Sequence, residues 1–145
     1  MFDIAGGDFN GMDCFWLSNG QVRLAVTTDR GPRIVFWGLQ DGPNLLAELP
    51  DAVLSSPNGP LNLLGGHRLW YAPEVIETTS WPDTPPVSVV LTSNGASFTQ
   101  QPAAIGIFKT LTVQLCPHPP QLPVPHPPPH SSHHPPPPAP PPPAP

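Results

Sequence analysis

The amino-acid sequence predicts an all-β protein: an antiparallel β-sandwich over residues 1–115, followed by a disordered, proline- and histidine-rich tail over residues 116–145. Three observations carry the prediction. Apolar residues recur at every second position in several short runs, the period of a half-buried strand. Asn-Gly pairs and Gly/Pro clusters separate those runs at hairpin spacing. No stretch shows the 3.6-residue period of a helix. The tail is set apart by composition: of the 27 prolines, 17 lie at or beyond Cys116, with five of the six histidines and no charged residue. Such a segment has too little apolar surface to offset the entropy lost on ordering.

Each element follows from its own residues. Cys14-Phe15-Trp16-Leu17-Ser18 and Gln21-Val22-Arg23-Leu24-Ala25-Val26-Thr27-Thr28 flank Asn19-Gly20, a strong hairpin signal. In the second run Val22, Leu24 and Val26 alternate with Gln21, Arg23, Ala25 and Thr27, which predicts one buried and one largely polar face. Asp29-Arg30-Gly31-Pro32 reads as a turn. Arg33-Ile34-Val35-Phe36-Trp37-Gly38-Leu39 is nearly continuous in apolar character, as expected of a central strand covered on both faces. Asp41-Gly42-Pro43 punctuates, and Asn44–Glu48 reads as a short strand. Residues 50–66 are rich in proline and glycine and read as loop. His67–Glu74 reads as a short aromatic strand closed by Pro73, and Trp81–Pro86 as extended or turn-like chain. Val87–Thr92 and Ser97–Gln100 flank Asn94-Gly95, a second Asn-Gly hairpin. Ile105–Leu115 closes the pattern with Ile107, Leu111, Val113 and Leu115 on one face, a row that Lys109 interrupts.

Composition also excludes function classes. Five basic against ten acidic residues give a formal charge of −5. No Lys/Arg patch is available to neutralise nucleic-acid phosphates or anionic lipid. The N-terminus lacks the basic and apolar regions of a signal peptide, and no apolar run is long enough to span a bilayer as a helix. Cys14 and Cys116 lack the spacing of a disulfide framework, so the expected compartment is the cytoplasm, with both thiols reduced.

The order of these motifs carries a resemblance. Leu17-Ser18-Asn19-Gly20-Gln21-Val22, Gly31-Pro32-Arg33-Ile34-Val35, Asn44-Leu45-Leu46-Ala47-Glu48 and Gly65-Gly66-His67-Arg68-Leu69-Trp70 follow one another, then an acidic/proline segment and a Thr/Val strand. Taken over roughly residues 13–115, the chain resembles the N-terminal part of the galactose-mutarotase-like superfamily, close to the aldose 1-epimerase-related sugar-binding proteins of bacteria. The resemblance implies part of a large antiparallel supersandwich with a pyranose groove on one sheet. In catalytic members a histidine acid and a glutamate base open and close the hemiacetal ring without metal or organic cofactor. It implies Arg68, Trp70 and Tyr71 as substrate-binding residues, the arginine donating to sugar hydroxyls and an aromatic stacking on an apolar sugar face. It implies His67 as the catalytic acid. The glutamate base of catalytic members belongs to a C-terminal half with no counterpart here, so this chain is expected to be inactive as a mutarotase.

Plainer readings stand beside these. A histidine after Gly-Gly is more often structural than catalytic, and an Arg–aromatic pair inside a sandwich is often packing. Glu74, Glu77 and Asp83 read as solvated loop charges, and Glu48, Glu74 and Glu77 are the only glutamates available as a base. In the tail, polyproline II segments suit aromatic-lined grooves, yet no flanking Arg or Lys fixes a register. His118, His126, His130, His133 and His134 could chelate a transition metal loosely; no built metal site is expected. Pro, His, Ala and Ser have C-rich codons, and the tail reads as a coding region translated out of frame. The chain is thus expected to be a truncated, frame-shifted relative of the sugar-binding family. Two other readings compete: a non-catalytic structural or sugar-binding β-sandwich, and an adaptor presenting a proline-rich ligand to a protein partner.

Overall fold

Asn10 and Gly11 both adopt positive φ, 52° and 78°, and this paired left-handed turn joins two strands whose right-handed twist it matches. They are β1 (Asp3–Phe9) and β2 (Met12–Ser18). The computed structural model describes residues 2–56, 59–69, 75, 85–100 and 108–117. All the regular structure in them is β: β3 (Val22–Thr27), β4 (Arg33–Leu39), β5 (Glu48–Ser56), β6 (Gly59–Gly65), β7 (His67–Arg68), β8 (Val87–Thr92), β9 (Gly95–Gln100) and β10 (Lys109–Gln114). Every pairing is antiparallel. The strands form a five-stranded sheet ordered β1-β2-β3-β4-β7, a three-stranded sheet ordered β10-β9-β8, and the β5-β6 ribbon.

The two larger sheets pack face to face. Leu17, Val22, Leu24, Val26 and Ile34 from one meet Ala96, Phe98, Leu111, Val113 and Leu115 from the other in one buried cluster. They include the alternating positions of β3, β9 and β10, so period-2 patterning sets much of the core directly. Phe15 adds an edge-to-face contact with Phe98, centroids 6.5 Å apart. The far face of the five-stranded sheet carries a second cluster: Met12, Cys14, Ala25, Val35 and Phe36, with Phe9, Trp16 and Leu64 against it. The expectation that β4 is covered on both faces is met, since Ile34 serves the first cluster and Phe36 the second.

Several expectations need correction. Residues 50–66 are not loop: Glu48–Ser56 and Gly59–Gly65 pair as a ribbon. Its prolines are tolerated because Pro50 sits where the register shifts, between Leu49 and Val53, and Pro60 near the hairpin end. Residues 44–47 are not a strand. Asn44 instead uses its side chain as a strand would use its backbone: Oδ1 accepts from Trp37 N at 3.0 Å and Nδ2 donates to Val35 O at 2.9 Å. With Leu45 N donating to Trp37 O at 2.8 Å, this satisfies the edge of β4 beyond the reach of β7. The second hairpin exists, but its turn is Ser93-Asn94; Gly95 is already a strand residue opposite Thr92. A Cβ there would lie 2.0 Å from Val113 O, so glycine lets β9 approach β10. Lys109 does not expose itself by breaking the apolar row; it is buried on the row's face, opposite Gln100. β1, Asp-Ile-Ala-Gly-Gly-Asp-Phe, has little apolar alternation, and among the described residues it pairs with β2 alone.

Candidate functional site

The Gly65–Trp70 motif begins in an unusual backbone. Leu64, Gly65 and Gly66 are consecutively left-handed, with φ of 60°, 80° and 74°. Leu64 bears the steric penalty of that conformation. The glycines are required by space as well: a Cβ on Gly65 would lie 2.1 Å from Ala47 O, and one on Gly66 2.4 Å from Ile34 O. This sharp reversal takes the chain off β6 and lays His67 opposite Ile34 and Arg68 opposite Arg33.

Arg33 fixes the reversal from below. Its Nη1 donates to Leu63 O at 2.5 Å and to Gly65 O at 2.6 Å, tying the ribbon to β4. Beside it lies an open recess of about 310 Å³, lined by Arg33, Leu49, Leu54, Leu63, Gly65, Gly66 and Arg68. Its walls are mainly apolar, with the two arginines as polar features. Arg68 therefore lines the recess. His67 alternates to the opposite side, shares that side with the core residue Ile34, and is exposed. Trp70 and Tyr71 lie outside the described residues, as do Glu74, Glu77, Asp83 and the tail histidines.

Glu48, the one candidate base among the described residues, is already engaged. Its Oε2 accepts from Asn10 Nδ2 at 3.1 Å and its Oε1 from Asn44 Nδ2 at 3.0 Å. It clamps the β1–β2 turn to the start of β5, beside a smaller recess of about 160 Å³ lined in part by Phe9, Met12, Arg30 and Leu64. No sequence pattern announces this clamp, because Asn10 and Glu48 are 38 residues apart.

The two cysteines differ in burial, Cys14 lying in the core and Cys116 half-buried. Both are free. Burial, then the carboxylates of Asp29, Asp8 and Asp13, push the Cys14 thiol up from 9.0 to about 12, with Arg30 opposing weakly. Cys14 is thus a protonated core residue rather than a nucleophile. No group of three or more His, Cys, Asp or Glu suited to a metal occurs among the described residues. No helix among them is long and apolar enough to cross a membrane. No family profile, curated protein or solved structure matches the chain.

Proposed function

We propose that the β body binds a pyranose at the recess beside Arg68 and does not catalyse its mutarotation. The observation that carries the reading is the run of three left-handed residues at Leu64–Gly66. Backbone strain of this kind concentrates where a chain must present particular groups, and here it sets Arg68 at the mouth of an open cavity. An arginine fork suits vicinal hydroxyls, and the apolar walls suit the C–H face of a sugar. The resemblance of Gly65–Trp70 to sugar-groove sequences adds support from residues alone.

The reading of inactivity rests on the acid–base candidates among the described residues. Ring opening needs one group to take the anomeric proton and another to protonate the ring oxygen. His67 faces away from the recess and Glu48 is held by two amides. Two free thiols favour a reducing, cytoplasmic setting for the protein.

The competing reading, a structural sandwich, has one observation behind it: Arg33 spends its donors on two backbone carbonyls. Titration of galactose and of glucose into the full chain, followed by calorimetry, separates the two. Saturable binding that disappears in Arg68→Ala, with the urea midpoint unchanged, is the expected result. Absence of binding to either sugar favours the structural sandwich. Polarimetry is expected to show the buffer rate; a faster rate that is lost in His67→Ala overturns the claim of inactivity.

A further inference from the structure

Glu48 lines the smaller recess, and its carboxylate is fixed there by neutral groups alone. Asn10 Nδ2 donates to Oε2 at 3.1 Å and Asn44 Nδ2 to Oε1 at 3.0 Å. Both amides are anchored in turn. Asn44 is tied to β4 through Trp37 N and Val35 O, and Asn10 sits at positive φ in the tight β1–β2 turn. Two amides orient a carboxylate without neutralising it, and each oxygen keeps a further lone pair. The ion pair seen among the described residues is Arg30–Asp29, so Glu48 has no cation of its own there.

Arg30 lines the same recess. Its Nε and Nη2 both donate to Asp29 Oδ2, at 3.1 and 2.6 Å. That grip fixes the guanidinium and leaves Nη1 without a hydrogen bond among the described residues. A held carboxylate and a held guanidinium therefore share one open recess of about 160 Å³, with Phe9, Met12 and Leu64 among its apolar walls. The volume falls below the roughly 300–1,000 Å³ of sites for drug-sized ligands. It suits a molecule of a few heavy atoms that carries both charges.

We infer that this recess binds a free apolar α-amino acid. The ammonium group meets Glu48, with Asn10 Oδ1 as a second acceptor, and the carboxylate meets Arg30 Nη1. The side chain lies on the apolar walls. A simple amine would bring a like charge to the guanidinium, and a simple carboxylate would bring one to Glu48; a zwitterion complements both. Because the hydrogen bonds above already hold the two charged groups, little side-chain ordering remains to be done on binding. The inference stands apart from the sugar reading, since neither Arg33 nor Arg68 takes part in it.

The test follows the Met12 methyl signal in a ¹H–¹³C spectrum of the full chain labelled at methionine methyl groups, assigned by its loss in Met12→Leu. Titration with L-leucine at pH 7 is expected to shift that signal saturably. L-leucinamide, which lacks the carboxylate, and 4-methylpentanoate, which lacks the ammonium, are each expected to bind about tenfold more weakly or worse, the equivalent of one lost charged hydrogen bond. Glu48→Gln is expected to weaken leucine binding to a similar degree. No saturable shift with leucine overturns the inference. So does equal binding of either analogue, since the ligand is then a plain amine or a plain acid, and so does undiminished binding in Glu48→Gln. The analogue series uses the unmodified protein, so it decides the matter even if that variant folds poorly.

Discussion

Gln100 sets the clearest energetic question at the level of single residues. It is 1% exposed, it follows Ala96 and Phe98 on the inward face of β9, and neither Oε1 nor Nε2 has a hydrogen-bond partner. A buried amide without partners loses its hydration and regains nothing, about 1–3 kcal/mol for an unsatisfied group. Gln100→Leu keeps the volume and removes the polar atoms, so it is expected to stabilise the fold by about that amount, read as a higher urea midpoint at unchanged slope. Cys14 makes a second prediction. Its pKa is raised in the folded state, to about 12 from 9.0, so the folded chain keeps the proton after the unfolded chain has lost it. That contribution to stability is complete below pH 9 and declines as pH rises from 9 toward 12. The decline is expected to be weaker in Cys14→Ala, and a thiol reagent at pH 8 is expected to label Cys116 in the native protein and Cys14 only after unfolding.

Among the elements, the side chain of Asn44 stands in for a strand. Its amide meets Val35 O, Trp37 N, Leu46 N and Glu48 Oε1. Asn44→Ala leaves the Trp37 amide and the Val35 carbonyl unpaired at a half-buried edge. A loss of about 2–4 kcal/mol is expected, above the range for one unsatisfied group because two are exposed at once; equilibrium denaturation checks it. At the β6–β7 reversal, Gly65→Ala places a Cβ 2.1 Å from Ala47 O on a residue with φ of 80°. The substitution is expected to destabilise by more than about 1 kcal/mol and to weaken any sugar binding at Arg68, while Gly20→Ala, with φ of 85° but open space around it, is expected to affect stability alone. These elements show what a sequence can disclose. β2, β3, β9 and β10 are legible because each buries alternate residues in a common core, and β4 because its continuous apolar run serves both clusters. β5 and β6 were hidden because Leu49, Val53 and Leu54 stay exposed on a ribbon that packs on little, leaving prolines as the loudest local signal. Asn44 reads as strand because its neighbours are leucines; nothing local says that a side chain will do the pairing. Arg68 enters as a candidate through the resemblance that Gly65–Trp70 carries, a local run of residues. The recess at Glu48 draws on residues from Phe9 to Leu64, which no single run contains.

For the molecule as a whole, the sheet edges decide behaviour in solution. Among the described residues β8 pairs with β9 alone, and Val90 and Leu91 on it are 64% and 52% exposed. Leu39 and Leu45 are exposed near the end of β4, and the β5-β6 ribbon adds three further exposed aliphatic side chains. An unpaired strand bearing apolar side chains is a template for another strand, and lysine at such an edge opposes pairing by placing a charge where a partner must lie. The inner face of the same sheet is fully engaged, with Phe98, Leu111 and Val113 all buried. Self-association is therefore expected to proceed through the edge without unfolding the core. Sedimentation velocity over a tenfold range of concentration is expected to show a rising weight-average coefficient for the unmodified chain and a flatter profile for Val90→Lys. Val90 is exposed and makes no core contact, so this substitution should leave the denaturation midpoint within about 0.5 kcal/mol of the original. An equal concentration dependence in both proteins would move the contact from β8 to the exposed leucines of the ribbon, where Leu54→Lys is the corresponding variant. A concentration-independent coefficient for the unmodified chain would mean that the −5 net charge already outweighs edge pairing, and raising the salt concentration to screen it should then restore association.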